Sequence, residues 1–266
     1  MKTDREGDAG HGADHDFELH CFTAALGQPD ASPFVIKTLV QVALSDARAR
    51  IVSPGHIPAA PKGKLPYIRL PDGTRIGDSE LIHRHLVAHH GLDLDAGLDE
   101  DSRARGRLYA RAAEEQLYVC LGVQRWIPDA HYRRIAVAYF EKMGLPAPLK
   151  RVLPPIIRRR TRRALHAQGI GRHSLADVYA FGVETLDAFE RVLGDGPFLF
   201  GERLTRADTS VAPMIDGCAA GDFDTPLARR AAAPALAAYA ERVRVHAERL
   251  AGTADDAAPA SPETPS

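Results

Sequence analysis

The amino-acid sequence predicts two successive units of different class: an α/β unit, then an all-helical unit. Three observations carry this. Between residues 17 and 90, short strand-like and helix-like apolar patterns alternate. From Asp99 onward only helical spacing is found. The change is abrupt, with strands first and helices afterwards, which suggests two adjoining units instead of one interleaved sheet. The boundaries expected are a disordered tail over 1–16, an α/β domain over 17–92, a helical domain over 99–250 and a second disordered tail over 251–266.

Each element follows from local chemistry. Phe17 to Phe22 alternates with period two and reads as a strand. A Gly/Pro loop follows, and Pro33 to Leu44 reads as a helix with proline at its first position, where a missing N–H costs nothing. Arg48 to Val52 is a second strand. Pro66–Leu70 and Arg75–Gly77 flank Pro71-Asp72-Gly73-Thr74, a strand–turn–strand unit with Asp-Gly at the bend. Asp78-Ser79 opens the helix Glu80–His90, with Leu81, Ile82 and Leu86 at helical spacing. The order βαβ then ββα is the thioredoxin arrangement.

In the second unit, Ser102–Trp126 reads as one long helix ended by Pro128. Tyr132–Met143 is a second helix, and Leu149–Ala167 a third, interrupted at Pro154-Pro155. Ser174-Leu175-Ala176-Asp177 is a capping box ahead of a helix carrying Val178, Phe181, Leu186, Phe189 and Leu193 on one face. Thr205-Arg206-Ala207-Asp208 repeats the box ahead of a helix whose Val211, Ala212, Met214 and Ile215 suit a central position. Pro234 begins the last helix, which runs to about Leu250.

Composition narrows the function classes. Lys and Arg number 34 and Asp and Glu 35, so bulk charge announces neither a nucleic acid nor a membrane. Residues 1–16 are acidic without the apolar core of a signal peptide, and no apolar run approaches the roughly 20 residues of a bilayer span. Cys21, Cys120 and Cys218 lie far apart, with neither a disulfide framework nor zinc spacing, which favours a reducing, cytoplasmic setting. His85 and His89 stand four apart on a helix, a spacing that can bind metal, but no third ligand is evident, and a solvated helix face is the better reading. Residues 150–163 hold seven basic residues and no acid. Two readings are open for that block: a solvated basic helix, or a surface for an acidic partner or anionic membrane.

Several runs resemble a known family. Lys62-Gly63-Lys64-Leu65-Pro66-Tyr67-Ile68 followed by Asp78-Ser79-Glu80-Leu81-Ile82 resembles the glutathione-site half of glutathione S-transferases. Pro197 to Asp208 resembles the capping motif of their helical half. Ala31-Ser32-Pro33-Phe34 with Lys37, and Gln168 to Ser174, resemble the metaxin-like and failed-axon-connections-like branch of that superfamily. The likeness covers roughly residues 17–250. It implies a thioredoxin-like N-terminal domain followed by the all-α C-terminal domain of glutathione S-transferases.

The resemblance implies a chemistry. A free thiol has a pKa of about 8.5, and a hydroxyl donor beside a helix N-terminus lowers it by favouring the anion. Ser32 is the residue implied to donate to the glutathione sulfur; the other reading is that it caps the first helix. Val35 stands where the family's Ser-Pro-Phe-Cys pattern has cysteine, which excludes cysteine-based thiol chemistry at that position. The family likeness also implies a cis Leu65–Pro66 bond that turns the backbone of Leu65 toward the ligand. Ser79 at a helix start suits the γ-glutamyl carboxylate, or is simply an N-cap. Asp78 is implied to hold the ligand's ammonium, and Lys64 to neutralise its glycyl carboxylate, or else to be solvated. Trp126, Tyr109 and Tyr118 could line the pocket of a small hydrophobic electrophile, or belong to the core. Glutathione as co-substrate, a homodimer and transferase, lyase or reductase chemistry are what the likeness implies. The rival reading is a non-catalytic docking protein on the same fold.

Overall fold

Strand β1 (Phe17–His20) is buried at every residue and is one of the two inner strands of a four-stranded sheet in the order β2-β1-β3-β4. β2 (Ala49–Val52) runs parallel to it, while β3 (Tyr67–Arg69) and β4 (Arg75–Gly77) add antiparallel. The computed structural model describes residues 15–140 and 146–253. Glu18 points to a face where Arg50 of β2 and Arg69 of β3 meet its carboxylate, Arg69 Nε at 2.7 Å. Helices α1 (Pro33–Ala43) and α2 (Ser79–His89) complete the α/β half. The βαβ–ββα order of the sequence is thus the order observed.

In the second half, α3 (Glu100–Arg111), a π-helical segment (Ala112–Leu117) and α4 (Tyr118–Trp126) form one unbroken rod. It starts two residues before the expected Ser102, since the Asp99 carboxylate accepts from Ser102 N–H at 2.7 Å and is the true cap. The expected helix Tyr132–Met143 is α5 (Asp129–Phe140), Met143 lying outside the described residues. α6 (Ala147–Gln168) runs straight through Pro154 and Pro155, contrary to the expected interruption. The prolines remove two donors, but the helix is tied to the end of α4 by Arg158, which donates to the Trp126 and Ile127 carbonyls. Tertiary anchoring there outweighs a local cost of about 3 kcal/mol per proline.

α7 (Leu175–Leu193) begins at the predicted Ser174 box, and α8 (Arg206–Ala219) at Thr205, whose N–H and hydroxyl both donate to Asp208 at 2.7 Å. A short α9 (Pro226–Ala231) lacks a pattern of its own and was not expected from the sequence; α10 (Pro234–Ala251) closes the chain. α8 is buried almost throughout and packs on both α1 and α10. One apolar cluster therefore runs from Phe17 to Ala247 across both halves. Buried polar ties cross the same seam: Lys37 Nζ meets Glu114 Oε1 at 2.6 Å, Ser210 donates to the same oxygen, and Gln41 donates to Thr209.

Candidate thiol-binding end of the sheet

Pairing register gathers the predicted residues. Tyr67 lies opposite both His20 and Gly77, so the end of β1, the start of β3 and the end of β4 share one edge of the sheet. Pro66 precedes β3, Asp78 follows β4, and Asp78 N–H reaches the Pro66 carbonyl at 3.4 Å. The loop after β1 returns at the same end as Ser32, where α1 begins. The Leu65–Pro66 bond is cis. The Leu65 backbone takes part in no turn or loop hydrogen bond among the described residues.

The two serines are placed where a cap would stand, yet neither caps. Ser32 has extended backbone, and its hydroxyl makes no capping hydrogen bond. At α2 the cap is Asp78, whose Oδ1 accepts from Glu80 N–H at 2.9 Å, so the capping role open for Ser79 belongs to its neighbour. Ser79 is buried, and its hydroxyl has no hydrogen-bond partner among the described residues. Asp78 holds φ 93°, a conformation that is strained for any residue with a Cβ. Its other oxygen lies 3.7 Å from Lys62 Nζ. Lys64 is exposed at the same edge, and it is Lys62 that reaches Asp78.

The backbone around Ser32 is clamped from below by residues the sequence did not single out. The Asp30 carboxylate, fully buried, accepts from Ser32 N–H at 2.8 Å. Burial pushes its pKa well above the carboxylate range, against the pull of the Ser32 and Phe22 N–H groups. The Ala31 carbonyl accepts from Arg125 at 3.0 Å and from the Tyr139 hydroxyl at 3.0 Å, while Arg125 also donates to Tyr139 and to the Gly217 carbonyl. Gly217 allows this approach, since a Cβ there would sit 3.1 Å from the Pro33 ring. Arg125 and Tyr139 lie 94 and 108 residues beyond Ala31, and no local pattern links them to it.

The aromatic residues divide. Tyr118 stands edge-on to Phe34 at 4.8 Å, partly exposed beside the start of α1, and burial of its hydroxyl raises its pKa. Trp126 packs against Tyr132 and Tyr139. Tyr109 stacks on Phe200 instead. All three cysteines are free and buried, with burial raising each thiol pKa, Cys120 to about 11. Nucleophilic chemistry by the chain's own thiolates is thereby disfavoured. His85 is half-buried and its ring lies near Phe17 and His89. Among the described residues no helix is long and apolar enough to cross a membrane.

Residues 33–131 match the family model of the glutathione S-transferase N-terminal domain, and residues 182–242 that of the C-terminal domain. An isoprene-epoxide–glutathione S-transferase of Rhodococcus sp. strain AD45 is 30% identical over 197 residues, 73% of this chain and 82% of that protein. Failed axon connections of Drosophila melanogaster is 28% identical over 71% of this chain and 47% of its own length. Metaxin-2 of Mus musculus is 25% identical over 57% of each chain, so this chain spans about half the length of these two relatives. Among solved structures, a glutathione S-transferase of Methylobacterium radiotolerans in complex with glutathione sulfonate superposes with TM-score 0.54 at 19% identity, over 93% of this chain and 99% of that one. A beta-etherase of Sphingobium sp. strain SYK-6 superposes with TM-score 0.56 at 15% identity, over 88% and 98%. These two show the same fold.

Proposed function

The chain belongs to the glutathione S-transferase family, and from that premise we propose that it binds glutathione at the Ser32–Ser79 end of the sheet and transfers it to a small hydrophobic electrophile. The observation that carries this reading is the pair of uncommitted hydroxyls: Ser32 and Ser79 each stand at a helix start, and neither does the helix's capping. An anion is favoured at such a position by free N–H groups and the helix dipole.

In this reading the Ser32 hydroxyl donates to the sulfur and holds it as thiolate, the thiol proton passing to solvent. The Ser79 hydroxyl and those first-turn N–H groups of α2 that Asp78 does not hold take the γ-glutamyl carboxylate, with Asp78 beside them for the ammonium. The Leu65 backbone pairs with the peptide, and Lys64 faces the glycyl carboxylate. The thiolate then attacks an electrophilic carbon and forms the C–S bond as the bond to the leaving atom breaks. That atom keeps the electron pair, and in an epoxide the oxygen stays attached to the neighbouring carbon and takes a proton from solvent. Phe34 and Tyr118 form the apolar wall against which the electrophile lies. The epoxide in the name of the Rhodococcus relative makes small alkene epoxides the first electrophiles to screen.

A hydrogen bond to a charged group contributes about 1.5–3 kcal/mol, or roughly 10- to 100-fold in a constant. Ser79→Ala should therefore weaken glutathione binding by about tenfold or more in calorimetry, with the melting temperature unchanged. Ser32→Ala should leave that affinity nearly intact and lower the conjugation rate by a similar factor. Absence of saturable binding at millimolar glutathione would sink the proposal.

A further inference from the structure

α6 carries seven basic residues between 150 and 163 and no acid. Where it faces the end of α4 and the start of α5, it borders a solvent-open cavity of about 600 Å³. Arg158, Arg159, Arg162 and Arg163 line it, Ile127 and Tyr132 give it an apolar wall, and no carboxylate lines it among the described residues.

The four guanidinium groups are not equivalent. Arg158 is fixed: it donates to the Trp126 carbonyl at 3.0 Å, and to the Ile127 carbonyl and Asp129 at 2.6 Å, and lies 4.3 Å over the Tyr132 ring. Its charge is spent on the C-terminal end of α4. Arg159 and Arg163, four apart and so on adjacent turns of one face, make neither ion pair nor hydrogen bond among the described residues. The Arg158 hydrogen bond and charge hold the Asp129 carboxyl below its usual range, and Arg162 adds to this only through its field. Like charges on adjacent turns repel, so the arrangement disfavours the helix until an anion sits between them. Guanidinium groups take phosphate oxygens in paired hydrogen bonds.

We propose that this cavity is a binding site for a phosphate-bearing anion of two or more negative charges, distinct from the thiol site and independent of it. The phosphate could arrive on a soluble ester or as a lipid headgroup. Leu149, Val152 and Ile156, exposed at 47%, 54% and 49%, share the outward face of the same helix and would enter a lipid surface in the second case.

The test titrates the full chain with inorganic pyrophosphate at low ionic strength, and sediments it with phosphatidylcholine vesicles with and without phosphatidic acid. Saturable pyrophosphate binding that weakens with salt, and weakens tenfold or more in Arg159→Gln/Arg163→Gln, is expected. Both substituted residues are surface groups outside the core, so circular dichroism and glutathione affinity should match the parent. Sedimentation that needs phosphatidic acid, and is lost in both the arginine variant and Leu149→Ser/Val152→Ser/Ile156→Ser, assigns the lipid as source. Pyrophosphate binding without sedimentation assigns a soluble ester. Neither binding nor sedimentation, or binding indifferent to the two arginine substitutions, overturns the proposal.

Discussion

His20 lies ring on ring with Tyr67 at 4.1 Å, and His83 of α2 is buried. Burial is the main cause that lowers each imidazole pKa, from 6.5 to about 4. Both are therefore neutral when folded, while the unfolded chain takes up protons first as pH falls. Their contribution to stability is fully present above pH 6.5 and is lost between there and about 4, on the order of 2–3 kcal/mol for each. Urea midpoints should fall over that window, and His83→Gln should flatten the slope. Glu18 acts lower on the scale. Burial alone would raise its pKa, but the Arg69 and Arg50 hydrogen bonds and charges outweigh that and hold it at about 2. Its depressed carboxyl stabilises the fold above pH 4.5 and ceases to do so as pH falls toward 2, so Glu18→Gln should remove that part of the acid transition, as seen by circular dichroism.

At the scale of elements, Asp208 serves α8 as more than a cap. It accepts from Thr205 twice, from the Leu199 N–H and from the Tyr239 hydroxyl. Asp208→Ala strands these donors in the core and should cost about 3 kcal/mol in urea unfolding. Tyr139→Phe removes a bond to Ala31 and one from Arg125, with an expected cost of about 1–2 kcal/mol and weakened glutathione binding as the Ser32 turn loosens. How far the elements were legible depended on where their determinants lie. The boxes at Ser174 and Thr205, the Asp-Gly bend and Pro33 each act within four residues, and the elements they predict are present. The prolines of α6 misled because the anchor that carries the helix past them, Arg158 on α4, is tertiary. Ser32 and Ser79 could be singled out by type and position. Whether they cap could not, since that is settled by where Asp78 and Asp30 point.

For the whole molecule, Lys37 and Glu114 are the most consequential pair across the seam, both buried and 2.6 Å apart. Lys37→Met alone takes the buried cation from Glu114 and leaves its carboxylate to Ser210 and the half-exposed Arg111, which donates at 3.1 Å, so it should cost about 3 kcal/mol. Lys37→Met/Glu114→Leu, which replaces both charges by apolar groups of similar size, should restore much of that loss, read as a double-mutant cycle in denaturant. Because one cluster joins both halves, melting should be a single cooperative transition in calorimetry.

The clamp on Ala31 bears on how this chain can be recombined. Ser32 belongs to the sheet-bearing half, yet the groups that hold its backbone, Arg125 and Tyr139, are inherited with the helical half. A chimera that joins this sheet to a relative's helices would keep every residue proposed to touch glutathione and still misplace the hydroxyl by whatever its new Ala31 contacts dictate. The two halves are not interchangeable cassettes, and a graft should be cut so that Arg125 and Tyr139 travel with Ser32.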